Sequence, residues 1–382
     1  MKLNIFGSTG FIGCKTLNII KNSYNNYKIN LLCSNKNYKL LIKQVQIFKP
    51  KYVYINDLKC FNLIKKKINE KTKLLNFHEL ISYLNTSKSD YTILAISGYK
   101  SLYYLESILN NTKNLGIVNK ECVVSAGHLF KRYLKKKNIE IYPIDSEHFS
   151  IYNFLNKNNL NNLKKIYLTA SGGPFADKDF FKLKNVKFHQ AIAHPKWKMG
   201  YKNSIDSATL VNKCLEVVEA HYLFNINYNN LDILIHKQSL VHSIIEYKNF
   251  LSQLIYFYND MRIPLINFLK IKVENNYNKY NIFQFPKKNK LTFEPVLKKT
   301  FPIYDFFNKM DKSKPANIIN FNIANEFAVN LYKKKHINYV DIYKIISIVT
   351  SFNLNLPTKT IKDVIHYHEE FEKYIEIKFS KF

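Results

Sequence analysis

The sequence predicts a mixed α/β and α+β protein: an N-terminal doubly wound domain, a central α+β domain and a C-terminal helical domain. Three observations predict it. The first third alternates short apolar runs with helical periodicity, the pattern of a parallel sheet covered on both faces. The middle third sets four strand-like runs around one long helical pattern. The tail from about Pro315 reads as three amphipathic helices. The expected boundaries are 1–148, 149–269, a linker at 270–298, and 299–382.

In order, Leu3–Phe6 reads as a strand and Phe11–Lys21 as a helix, then strand Ile29–Cys33 and helix Leu40–Phe48. Strand Lys51–Ile55, helix Cys60–Asn69, strand Thr92–Ile96 and helix Leu102–Leu109 follow, with strands at Ile117–Val118 and Ile139–Ile144. The central domain takes strand Lys165–Thr169, helix Ser207–Phe224, and strands Asp232–Ile235, Ser243–Tyr247 and Gln253–Tyr256. Residues 270–298 are rich in Lys and Asn and carry no periodicity, as a linker would.

Composition narrows the class. The chain has 382 residues and is 46% hydrophobic, ample for a core. It holds no apolar run of about 18 residues, so no membrane span is expected. The net charge of +30 raises a nucleic-acid partner. The lysines are spread along a chain also rich in Asn, Ile, Tyr and Phe, so compositional drift is the preferred account and no nucleic acid is expected. Five cysteines without a CxxC pair fit a reducing compartment. The N-terminus runs straight into a strand, so a cytoplasmic protein is expected, or one of a plastid-type organelle if the chain is a trimmed mature form.

Five motifs carry chemistry. Gly7-Ser8-Thr9-Gly10-Phe11-Ile12-Gly13 joins the first strand to the first helix, the Rossmann-like context of a pyrophosphate loop. Usage of about 7% would give roughly 27 glycines; the chain has nine, three of them in this loop. After the second strand, Asn35-Lys36-Asn37 stands where an NAD site wants an acid, which favours NADP, although lysine is common throughout. Asp145-Ser146-Glu147-His148 reads either as a hard-cation site or as an acidic helix start. Thr169-Ala170-Ser171-Gly172-Gly173-Pro174-Phe175 is either an anion-binding turn or a plain one. The run from His194 through Trp197 to Gly200 reads either as a mobile lid or as a loop anchored by a buried Trp197. It leads into Ser204–Glu216, where a Ser/Asn/Lys cluster near a helix start suits phosphate and an ordinary amphipathic helix would look much the same.

Order and spacing of these motifs resemble the 1-deoxy-D-xylulose 5-phosphate reductoisomerase family across nearly the whole chain. The segments are GSTGFIG at Gly7, NKECVVSAG at Asn119, IDSEH at Ile144, TASGGPF at Thr169, HPKWKMG at His194 and SIDSATLVNKCLEVVEA at Ser204. ILIHKQSLVHSIIEY at Ile233, NDMRIPL at Asn259 and NIANEFAV at Asn322 follow. The match is strongest between residues 119 and 265 and weak from 270 to 320 and past 340.

The resemblance implies that 1-deoxy-D-xylulose 5-phosphate is rearranged to an aldehyde and reduced by NADPH to 2-C-methyl-D-erythritol 4-phosphate, for isoprenoid precursor synthesis. It implies Mg²⁺ or Mn²⁺ on Asp145, Glu147 and Glu216. It implies that Lys120, Ser146, Glu147, Ser171, His194, Ser207, Asn212, Lys213 and Glu216 meet the sugar phosphate, with Lys120, Glu147, His194 and Glu216 catalytic. NADPH would meet Thr9, Gly10, Phe11, Ile12, Asn35, Lys36, Asn37, Asn119, Glu121 and Gly200. The central domain becomes a catalytic domain through which a homodimer forms. Departures from the family pattern are Phe11 for Ser, Asn35 for Gly, Tyr201 for Arg and Cys214 for Gly. Rival readings are another NADP-dependent oxidoreductase, of the homoserine dehydrogenase type, and a basic nucleic-acid-binding protein.

Overall fold

The computed structural model describes residues 1–23, 27–68, 70–137, 139–155, 162–193, 200–271 and 290–380. Contacts divide these into two units. The first takes Met1–Lys120, Lys131–Phe149 and the described part of Asp260–Ile282; the second takes Glu121–Phe130 and the described parts of Ser150–Asn259 and Phe283–Phe382. Against the expected boundaries, the C-terminal helices therefore group with the central sheet, and the described part of the stretch from Asp260 groups with the N-terminal one.

The first unit is built on seven strands: β1 (Lys2–Phe6), β2 (Lys28–Ser34), β3 (Tyr52–Ile55), β4 (Lys73–Leu75), β5 (Ser89–Leu94), β6 (Thr112–Ile117) and β7 (Glu140–Pro143). Their order is β4-β3-β2-β1-β5-β6-β7, every pair parallel. The order reverses between β1 and β5, the switch point where open α/β sheets bind ligands at the carboxyl ends of their strands. The inner strands are buried on both faces: Leu3, Ile5, Leu31, Leu32, Val53 and Ile93 are fully covered. Near-continuous apolar runs, rather than alternating ones, follow from that.

Helices α1 (Phe11–Asn22), α2 (Tyr38–Phe48), α3 (Leu58–Lys65), α4 (Phe77–Thr86) and α5 (Leu102–Asn111) connect the strands. Neither β4 nor α4 is expected from the sequence. Three residues are too few to show strand periodicity, and α4 starts on a capping box, Asn76 with Glu79, that precedes a mixed polar stretch. Helices α6 (Lys120–Lys137) and α7 (Ser146–Leu155) follow β6 and β7. The run Lys131–Lys137 dilutes the apolar stripe of α6, which explains why the sequence does not mark it.

The second unit carries a mixed sheet of β8 (Leu163–Ala170), β9 (Leu231–Ile235), β10 (Val241–Tyr247), β11 (Ser252–Tyr256) and β12 (Glu294–Pro295). Its order is β11-β10-β8-β9-β12, with only β8 and β9 parallel. β12 lies inside the stretch expected to be a linker. The short α8 (Phe188–Ala191) precedes α9 (Tyr201–Thr209) and α10 (Val211–Phe224). The single helix expected over Ser207–Phe224 is thus two, broken at Leu210, whose φ of 69° is left-handed.

After α11 (Arg262–Phe268), which belongs to the first unit, come α12 (Pro302–Lys309), α13 (Pro315–Lys333), α14 (Asp341–Thr350) and α15 (Ile361–Lys378). The last three are the helices the tail predicts. Phe307, Phe321, Tyr339, Tyr367 and Phe371 are buried in this unit. In the first unit Phe268 of α11 lies against β6, where a Cβ on Gly116 would come within 2.8 Å of the Phe268 ring. Among the described residues no helix is long and apolar enough to cross a membrane.

Candidate active site

The dinucleotide loop is shaped by close backbone approach. Gly7 has φ +87°, and a Cβ there would sit 2.4 Å from the Ala95 carbonyl oxygen. A Cβ on Gly13 would sit 2.3 Å from the Gly7 carbonyl oxygen, so α1 can pack onto the turn only without a side chain at that position. The backbone N–H groups of Gly7 and Ser8 both donate to the Cys33 carbonyl at 2.9 Å, which pins the turn to β2. Gly10 begins α1 without a side-chain cap. The N–H groups that open α1 are thus presented in the manner that suits a pyrophosphate.

Thr9 and Ser34 share a hydrogen bond between their hydroxyls at 2.7 Å, tying this loop to the end of β2. Asn35, Lys36 and Asn37 follow, all exposed. Asn37 caps α2 by accepting from the Leu40 N–H at 3.2 Å, and Asn35 accepts from Asn56 at 3.3 Å. The turn that presents Lys36 is therefore built by its two amide neighbours. Phe11 is 59% exposed, and the Lys15 ammonium lies 4.9 Å from its ring centre. The departure from serine at this position costs no packing.

At the far side of the same sheet, Asn119 follows β6 and donates to the carbonyls of Gly98, at 3.0 Å, and Ile96. Lys120 opens α6 and reaches Asp145 at 3.6 Å. Asp145 stands at the helix start, as one of the two readings of the sequence has it. Its Oδ1 accepts from the Glu147 N–H at 3.3 Å at the start of α7, and its Oδ2 faces Lys120. Burial pushes the Asp145 carboxyl up, as does Glu147, but Lys120 and His148 outweigh both and hold it below the usual carboxylate range. The Ser146 hydroxyl donates to Glu147 at 2.7 Å. His148, fully buried with Nδ1 3.5 Å from Asp145, has a part the sequence did not assign: it fixes the carboxylate that Lys120 faces.

In the second unit, Ser171, Gly172 and Gly173 leave β8 in a turn whose two glycines have φ of +79° and +64°. The Gly173 N–H donates to the Ser171 hydroxyl at 3.2 Å. A Cβ on Gly173 would meet Ala208 Cα at 2.8 Å and the Ser207 carbonyl oxygen at 3.0 Å, so this turn lies directly against α9. Ser171 and Ser207 therefore stand on touching segments. The break at Leu210 gives α10 a fresh N-terminus with no side-chain cap, and Asn212 and Lys213 lie in its first turn.

Both oxygens of Glu216 are held within that helix. Asn212 donates to Oε1 at 2.5 Å, and Lys213 pairs with Oε2 at 2.5 Å. Lys213 and Glu216 are 6% and 1% exposed, so this ion pair is buried and compensated. Cys214, beside them, is fully buried and fills the room a glycine would leave. Gly200 begins α9 and is exposed. His194 and Trp197 lie outside the described residues.

A family model described as 1-deoxy-D-xylulose 5-phosphate reductoisomerase matches residues 3–127. Two models of C-terminal domains of the same enzyme match residues 141–224 and 258–374. A curated 1-deoxy-D-xylulose 5-phosphate reductoisomerase of Pelagibacter ubique is 40% identical over 344 residues, covering 89% of this chain and 88% of that protein. One from Thermoanaerobacter sp. is 34% identical over 382 residues and covers all of both chains. Among solved structures, DOX-P reductoisomerase in complex with NADPH, fosmidomycin and magnesium superposes with a TM-score of 0.90 at 28% identity, over 100% of this chain and 99% of that one. The Zymomonas mobilis enzyme in complex with NADPH gives 0.84 at 29% identity, over 97% of each. With its nucleotide loop, carboxylates and phosphate-type donors on these elements, and relatives matching end to end, the chain belongs to the 1-deoxy-D-xylulose 5-phosphate reductoisomerase family.

Proposed function

We propose that this protein is an NADPH- and divalent-metal-dependent reductoisomerase that converts 1-deoxy-D-xylulose 5-phosphate to 2-C-methyl-D-erythritol 4-phosphate in isoprenoid precursor synthesis. The observation that carries this reading is the first turn of α10. It joins phosphate-type donors, Asn212 and Lys213, to a buried carboxylate, Glu216, one helical turn from an uncapped N-terminus. Relatives solved with NADPH and with magnesium support the same reading.

Asp145, Glu147 and Glu216 would hold the Mg²⁺ or Mn²⁺. Each offers a carboxylate oxygen, the donor that hard cations take, and Asp145 is held ionised by its neighbours. When bound, the cation supplies Lewis-acid stabilisation of negative charge on substrate oxygens, and NADPH supplies the hydride. Ser146 orients the Glu147 carboxylate and His148 orients Asp145. Lys120, only 14% exposed, lies beside Asp145 and can donate to a substrate hydroxyl oxygen. Ser171, Ser207, Asn212 and Lys213 would bind the phosphate, with His194 added from the undescribed segment. Glu147, Glu216, Lys120 and Ser146 would meet the sugar end.

Thr9, Gly10, Phe11 and Ile12 would receive the pyrophosphate; Asn35, Lys36 and Asn37 the 2′-phosphate; and Asn119, Glu121 and Gly200 the remaining nucleotide. Lys36→Glu is expected to weaken NADPH binding about 10- to 100-fold, the value of one charge-assisted contact, while NADH binding changes little. Parallel titrations with the two nucleotides test this; an equal loss for both would remove Lys36 from the 2′-phosphate.

The protein is also read as a homodimer formed through the central sheet, and as cytoplasmic. β11 is an edge strand, and Phe250, Leu251 and Leu254 beside and on it are 90%, 63% and 46% exposed, which supports pairing there. All five cysteines are free thiols, which supports a reducing compartment.

One assay tests the whole reading. NADPH should be oxidised with the sugar phosphate, and excess chelator should slow it at least about 100-fold, since metal stabilisation is worth several kcal/mol. Added Mg²⁺ or Mn²⁺ should restore the rate. Undiminished oxidation in chelator would end the metal-dependent reading.

A further inference from the structure

Lys202, on the first turn of α9, is a cation within a mostly covered acidic ring of the second unit. Its Nζ lies 2.9 Å from Asp206 Oδ2, one turn along α9, and 3.2 Å from Glu121 Oε1 at the start of α6. Asp206 is 2% exposed and Glu121 10% exposed. Asn325 of α13 donates to the other oxygen of Asp206 at 2.9 Å, which fixes α9 to α13 as well. Glu326, next along α13, adds negative charge nearby. One ammonium thus pairs with two carboxylates contributed by two helices.

Such a ring is short of positive charge, so it holds either a proton or a strained carboxylate. Burial works against the charge on Lys202, but Asp206, Glu121 and Glu326 outweigh it and keep the ammonium well above the usual lysine range. The excess negative charge falls on Glu326. Burial first, then Glu121, Glu372 and Asp206, pushes its carboxyl up to about 7, with Lys202 pulling the other way.

We propose that Lys202 is a positioning residue for the nucleotide, clamping the Glu121 carboxylate at the start of α6. The inference rests on the reading of Glu121 as an NADPH contact. Asp206 holds the Lys202 ammonium from its own helix at 2.9 Å, and the ammonium in turn holds Glu121 at 3.2 Å.

The test is NADPH affinity of the full-length protein, by fluorescence titration. Glu121→Gln and Lys202→Met are each expected to weaken binding about tenfold, one charge-assisted contact, and Lys202→Arg to recover most of the loss. Normal affinity in Glu121→Gln overturns the nucleotide reading of Glu121, and the inference with it. A weakened Glu121→Gln beside a normal Lys202→Met overturns the inference alone. So does equal weakening in Lys202→Met and Lys202→Arg, the mark of a scaffold residue. Should Lys202→Met fail to fold, Lys202→Gln takes its place in the same comparison.

Discussion

Glu216→Gln is expected to lower turnover about 10³-fold or more while NADPH still binds. The side chain is 1% exposed, and the substitution keeps its shape. It removes one negative charge from the proposed metal ligands, and with it stabilisation of charge developing on the sugar oxygens, an effect of several kcal/mol. The nucleotide contacts proposed at Thr9–Ile12 and Asn35–Asn37 stand on other elements and should be untouched. The change also strips Lys213 of its buried partner, which costs about 3 kcal/mol of stability or more. Kinetics are therefore read well below the melting temperature of the variant, and raised Mn²⁺ should recover part of the rate. A variant that oxidised NADPH normally with the sugar phosphate would falsify the assignment of Glu216 to the metal.

The features that could be read from the sequence are those whose causes are local. Gly7, Gly10 and Gly13 sit between an apolar run and a helical pattern, and the turn they imply needs only the residues in it. The same holds for the apolar runs of β1, β2 and β5, which end within a few residues of their expected limits. What could not be read has distant causes. Nothing in Ala208-Thr209-Leu210-Val211 interrupts helical periodicity. The break there accompanies the close approach of Gly173, 34 and 35 positions earlier, to Ser207 and Ala208. Gly116 is required by Phe268, which is more remote still in the sequence.

Asp145 shows a different limit. A metal-type carboxylate and a helix cap look like alternatives in sequence, yet two oxygens on one carboxylate let the residue cap α7 and face Lys120 together. Lys202 could be seen only as the i,i+4 partner of Asp206. Glu121, 81 positions away, gives it a different meaning, and no periodicity connects the two.

Lys213→Met is the second large effect, and it separates phosphate binding from metal chemistry. The methionine keeps most of the stem of a side chain that is 6% exposed, so packing changes little and the charge is what is lost. Two consequences follow, with different readouts. A phosphate deprived of a buried ammonium loses a charge-assisted contact worth about 1.5–3 kcal/mol, so KM for the sugar phosphate should rise about 10- to 100-fold, with kcat less affected. Glu216, left buried without that ammonium, destabilises the protein by about 3–5 kcal/mol. Adding Glu216→Gln to Lys213→Met should recover much of that stability, because the uncompensated charge disappears, but none of the catalysis. The two residues touch, so a coupling of about 1–3 kcal/mol is expected from the double-mutant cycle in thermal stability. Inorganic phosphate should raise the melting temperature of wild type and fail to do so for Lys213→Met. If KM for the sugar phosphate stays at the wild-type value in a folded Lys213→Met, the ammonium serves Glu216 only, and the phosphate must be held by Ser171, Ser207 and the N-terminus of α10.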